Sequence, residues 1–127
     1  MSVNSRWNDI FKGLENAGLD VYPPATKQGK CKAPYVVVKA SGISDLLTIS
    51  SVSALYDVMV YVPRTEYSTL EPYMADVKAA MDTLFPLIRP THFETTPYLD
   101  ETVDAWMVSI QYQNYQKKLC GYTQVPI

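Results

Sequence analysis

Residues 23–34 read PPATKQGKCKAP, with Lys27, Lys30 and Lys32 close together, Cys31 between two of them and no acid. Positive charge beside a thiol favours the thiolate, so this spacing would lower the Cys31 pKa, but a nucleophile on an exposed loop without a base or an oxyanion site is rarely an enzyme. Gly29-Lys30-Cys31 also echoes the end of a phosphate-binding loop. That motif needs glycine where Pro24 stands, Ser or Thr after the lysine, and a helix next to aim N–H groups at phosphate. A strand-like run follows instead, and the phosphate-loop reading fails. The lone histidine, His92 in RPTHFE, would need a Ser, Cys or acid converging on it in space, and no spacing in the chain supplies one. Asp100, Glu101 and Asp104 lack the alternating ligands and glycine of a calcium loop. Two cysteines, Cys31 and Cys120, make neither a disulfide scaffold nor a zinc site, and whether they pair is left open. These residues lead us to expect no enzyme, no cofactor and no metal.

Charge is the more informative property. The chain has 127 residues, enough for one domain with a real core, and a formal net charge of −2, which argues against a dedicated nucleic-acid-binding module. Between Val21 and Ser44 stand four lysines (Lys27, Lys30, Lys32, Lys39) and no acid; between Glu66 and Asp104, eight acids face only Lys78 and Arg89. Segments of opposite sign on one subunit suit head-to-tail contacts between copies. The N-terminus is amphipathic and lacks a signal-peptide core, and no run approaches the length of a membrane span. A reduced, cytosolic protein is the expectation.

The elements that must position these residues follow from periodicity. Val3, Trp7, Ile10, Phe11 and Leu14 form one helical stripe, with Asn4 or Ser2 to cap it and Gly18 to end it. The proline-bounded stretch 23–34 reads as a long basic loop, mobile in the free chain. Tyr35–Lys39 is a strand; Leu55–Val62 is another, apolar on both faces, so that one face meets a helix and the other something else, and Thr48–Val62 is one long strand or two with a bulge. Leu70, Tyr73, Met74, Val77, Met81 and Leu84 give a second helix, capped by Ser68 or Thr69 and stopped by Pro86. Strands are expected at Leu87–Thr95 and Val103–Gln113, with a further short one near Val21. The order α–β–β–α–β–β predicts an α+β fold: an antiparallel sheet of about four to five strands with two helices on one face.

With that order in hand, the chain resembles the tail terminator (tail-completion) proteins of long-tailed bacteriophages. The resemblance lies in the helix RWNDIFKGLENAG, the strand YVVVKA, the passage LYDVMVYVPRTEYSTLEPYMADVKAAM and the hairpin ending in VDAWMVSIQYQNY, and it spans roughly residues 4–115. It implies a hexameric ring, located in the virion and assembled in the host cytoplasm. The ring would sit on the last ring of tail-tube protein, stop polymerisation and present a surface to the head connector. DNA would pass through its lumen without specific binding, with no membrane involved. On that reading Lys27, Lys30, Lys32, Glu94, Asp100 and Glu101 are the candidate subunit or partner contacts, and the basic loop is an arm ordered by a neighbouring protein. Two other readings stay open: another neck component, such as a head-closure or connector-joining protein, and a small dimeric α+β ligand-binding or regulatory domain.

Overall fold

The computed structural model describes residues 6–45, 51–119 and 123–126. In chain order the elements are α1 (Trp7–Asn16), β1 (Val21–Tyr22), β2 (Tyr35–Asp45), β3 (Ser51–Pro63), a 3-10 segment (Arg64–Thr69), α2 (Leu70–Asp82), β4 (Arg89–Glu94), β5 (Tyr98–Asp100), β6 (Ala105–Leu119) and β7 (Thr123–Pro126). The fold is α+β.

The centre of the sheet is the antiparallel pair β3 and β6, in unbroken register from Ser51 opposite Lys117 to Pro63 opposite Ala105. β2 lies on the far side of β3 and β1 runs parallel to β2; β4, β5 and β7 share the other edge of β6. The sheet is therefore mixed and seven-stranded, larger than the four to five antiparallel strands expected. Part of the shortfall comes from polar residues. Beyond Gln113 the inward positions of β6 are Asn114 and Gln116, 1% and 0% exposed, which a hydrophobic alternation does not register. Their burial is met by hydrogen bonds: Asn114 Nδ2 donates to the Leu87 carbonyl at 2.8 Å and Gln116 Nε2 to Asn114 Oδ1 at 3.1 Å. Similarly, β2 runs on past Lys39 through the polar SGISD because β3 supplies its ladder partners, with a bulge between Ala40 and Gly42 where Gly42 takes φ +116°. Residues 46–50, where a longer third strand was expected, lie outside the described residues.

Even-numbered residues of β3 and β6 point at the helices. Val58, Val60 and Val62 meet Val108, Ile110, Leu70, Met74, Val77 and Met81 in the main core, with Ile10 and Leu14 from α1. The 13 residues of α2 extend about 20 Å. The 13 residues of β3 extend about twice that. One helix cannot cover the strand, and α1 with the α2–β4 connection covers the remainder. Trp7 Nε1 donates to the Val38 carbonyl at 2.8 Å, the Arg6 N–H to Tyr56 Oη at 2.9 Å, and Ile88 is 1% exposed.

Helix ends were partly legible. Gly18 sits at C′ with φ +85°; its N–H bonds the Glu15 carbonyl and the Leu19 N–H the Leu14 carbonyl, the paired closure of a Schellman turn. The expected caps Asn4 and Ser2 lie outside the described residues. At α2 no side-chain cap forms: the 3-10 segment runs straight into the helix, Thr69 is already helical, and its Oγ1 donates to the Glu66 carbonyl instead.

Leu14 is fully buried between α1 and the sheet, so Leu14→Ala should lower unfolding free energy by about 2–5 kcal/mol, read as a lower urea midpoint with unchanged slope.

Candidate functional site

Three surfaces hold the side chains that chemistry or binding would use. The first is the end of the second sheet face, where no helix lies. Tyr35 and Tyr61, opposite each other on β2 and β3, stack at 4.8 Å, and Tyr22 meets Tyr35 edge-on at 5.7 Å. The basic loop crosses over them. Lys27 Nζ stands 5.2 Å from the Tyr22 ring and 5.6 Å from the Tyr35 ring, a cation over two aromatic faces. Cys31 is 6% exposed, its N–H bonds the Val103 carbonyl at 2.7 Å, and its thiol donates to the Ala33 carbonyl at 3.2 Å. Cys31, Tyr35, Val37 and Ala105 form a second small core beneath the loop. The "something else" expected against the other face of the sheet is this loop.

The lowered pKa and the exposure read for Cys31 from its flanking lysines are both overturned. Cys31 is seated, not presented, and burial raises its pKa above the ordinary thiol value, with the charge of Lys27 opposing but not prevailing. Burial likewise raises the phenols of Tyr35 and Tyr61, and Asp100 adds to both shifts through its negative charge. Tyr22 is raised first by its hydrogen bond to Asp20.

The six residues expected at an interface divide. Lys30 and Lys32 are exposed on either side of buried Cys31. Through the Cys31–Val103 hydrogen bond the basic loop meets the turn that carries Asp100 and Glu101, so segments expected to meet between copies adjoin within one subunit. Asp100 holds that turn, its Oδ1 accepting from the Thr102 N–H at 3.0 Å and from Thr102 Oγ1 at 2.5 Å; Glu101 is exposed. Glu94 lies apart from these, on β4, in an ion pair with Lys78 of α2 at 2.8 Å.

That ion pair bounds the second surface, a groove of about 720 Å³ between α2 and the β4–β5 connector. Leu70, Met74 and Val108 form its apolar floor, and Glu71, Lys78, Glu94 and Pro97 stand along its walls. Tyr67, 52% exposed, closes one end and meets Trp106 edge-on at 4.8 Å. Trp106 packs against the main core, and its indole N–H donates to the Arg64 carbonyl at 3.2 Å.

The third surface surrounds His92. Pro90 faces Tyr112 and Glu94 faces Ile110, so four residues of β4 span two of β6, and His92 in this bulge takes φ +66°. His92 is exposed, and among the described residues it makes no hydrogen bond to a nucleophile. Beside it, Arg89 lies over the rings of Phe85 and Tyr115 at 5.7 and 5.3 Å.

Among the described residues no group of three or more His, Cys, Asp or Glu could hold a metal ion, and no helix is long and apolar enough to cross a membrane. Comparison with protein-family models finds no match to this chain, and no curated protein matches it significantly.

The buried thiol and phenols fix the sign of an alkaline transition. Their folded pKa values lie above the unfolded values of 9.0 and 10.0, so the folded state keeps protons that the unfolded chain gives up. Their contribution is whole below pH 9.0 and is lost as pH rises from there through the folded values. Urea midpoints measured across alkaline pH should fall, and Tyr35→Phe should flatten that fall.

Proposed function

We propose that this chain is a virion assembly protein of the tail-terminator kind, a subunit of a hexameric ring that caps the tail tube, ends its polymerisation and offers the joining surface to the head connector. The reading places it in the virion neck, with DNA passing through the lumen and no catalytic step. The observation that carries it is the one-sidedness of the sheet. Both helices lie on one face, while among the described residues the other is covered at its tyrosine end and is polar and half-exposed along Asp57, Ser109 and Gln111. The outer edge of β2 is also open: β1 pairs only with Val36 and Val37, and Trp7 takes the Val38 carbonyl, leaving Lys39 to Asp45 without a strand neighbour among the described residues. An open edge and a half-covered face are what a subunit needs when its neighbours complete it. The bulge at Ala40–Gly42 and the charge of Lys39 would restrict that edge to a matched partner.

A terminator works by shape and charge, which agrees with a Cys31 held neutral under its loop and a His92 on an edge-strand bulge. The α–β–β–α–β–β order read from the periodicity, on which the resemblance rests, is the order found, with β1, β5 and β7 as short additions. The ligand-binding alternative has the groove on its side, since about 720 Å³ is ample for a small molecule. That groove is an open trough between α2 and the connector, with two carboxylates on its walls, and suits a polypeptide better.

The test is tube growth. Purified tail-tube protein of the same phage, polymerising in the presence of this chain, should give shorter tubes as its concentration rises, with the chain bound at one end. Tubes of unchanged length, with the chain left in the supernatant, would contradict the proposal.

A further inference from the structure

We infer that the groove between α2 and the β4–β5 connector receives the basic loop of a second copy of this chain. The inference rests on the ring reading and names the contact that would join neighbouring subunits.

The groove runs from Tyr67 in the 3-10 segment along α2 to Lys78, about 18 Å at the rises of the two helix types. That length accommodates about five residues of extended chain. Its chemistry is an apolar floor, one exposed aromatic ring at the end and a carboxylate on each wall. Glu71, on the helix, makes no hydrogen bond or ion pair among the described residues, and Glu94, opposite, gives only Oε1 to Lys78. An extended segment with prolines for the ring and floor and lysines for the walls is the complement.

The basic loop is such a segment. Pro24, Ala25, Thr26, Gln28, Gly29 and Lys30 are all exposed, as is Lys32, and neither Lys30 nor Lys32 forms an ion pair among the described residues. The loop is also held ready, since Cys31 is buried and Lys27 sits over Tyr22 and Tyr35, so its tip projects from a fixed base. Less of the ordering cost then falls on binding. The base of the loop is fastened over the second face of the sheet, by the Cys31–Val103 hydrogen bond and by Lys27 over the tyrosines, whereas the groove lies between α2 and the connector. A loop supplied by another copy makes a contact between two different surfaces, which is head-to-tail, the kind that closes into a ring.

The experiment is light scattering from micromolar to near-millimolar concentration on the wild type, Glu71→Lys, and the double variant Lys30→Glu/Lys32→Glu, with circular dichroism confirming that each is folded. Each charge reversal should raise the concentration for half-assembly at least about threefold, and Glu71→Gln should have a smaller effect. An equimolar mixture of Glu71→Lys with the double variant can alternate around a ring, which restores opposite charge between position 71 and the loop at every contact, and should recover assembly toward the wild-type concentration. If the wild type assembles and the folded variants assemble equally well, or if the mixture fails to recover, this contact is wrong while the ring reading stands. A wild type that stays monomeric throughout overturns both.

Discussion

Everything in this fold hangs on the pairing of β3 with β6. It runs without a bulge over the full length of β3, from Ser51 to Pro63, and every other strand or helix is attached to it. Because side chains alternate, that single register decides at once which residues meet the helices and which meet the loop; a slip of one would exchange Val58, Val60 and Val62 for Asp57, Met59 and Tyr61. The valines carry the main core. The tyrosine and methionine side of the same strands carries the second, smaller one under Cys31. Two helices shorter than the strands they cover can close only one of these faces, and the loop closes one end of the other. The exposed remainder follows from geometry.

That geometry explains how much the sequence revealed. Long periodic segments were readable: the stripe of α2, the inward valines of β3 and the Trp106–Tyr112 alternation of β6 each assign a face without help from the rest of the chain. The two-faced apolarity of Leu55–Val62 even called for a second covering layer. The misses have one cause. Asn114 and Gln116 are inward and polar, SGISD is a strand because of its partner, and β1, β5 and β7 are short segments that exist only as neighbours of longer strands. Each is settled by contacts distant in sequence. The same holds for Cys31. Its flanking lysines suggest a reactive thiol, but its distant neighbours Val103, Tyr35 and Ala105 bury it, and desolvation outweighs the nearby charge.

Of the candidate site, residue types were legible and their grouping was not. The basic loop, the acidic turn and Glu94 were each recognisable, yet the distribution of charge along the chain placed loop and turn on surfaces facing different subunits. In the fold they adjoin at one end of the sheet, and Glu94 lies with Glu71 along a groove that no motif announces. The loop is anchored at Lys27 and Cys31 and leaves Lys30 and Lys32 exposed. On the proposed ring reading, this loop would give and the groove would receive, and the half-covered sheet face is the observation behind that reading.

The most direct measurement is single-particle electron microscopy of the protein concentrated until it self-associates. The account predicts closed, rotationally symmetric particles with an open centre, formed by repetition of one head-to-tail contact. Two-fold particles in which the same surface meets itself, with no larger species at any concentration, would contradict it.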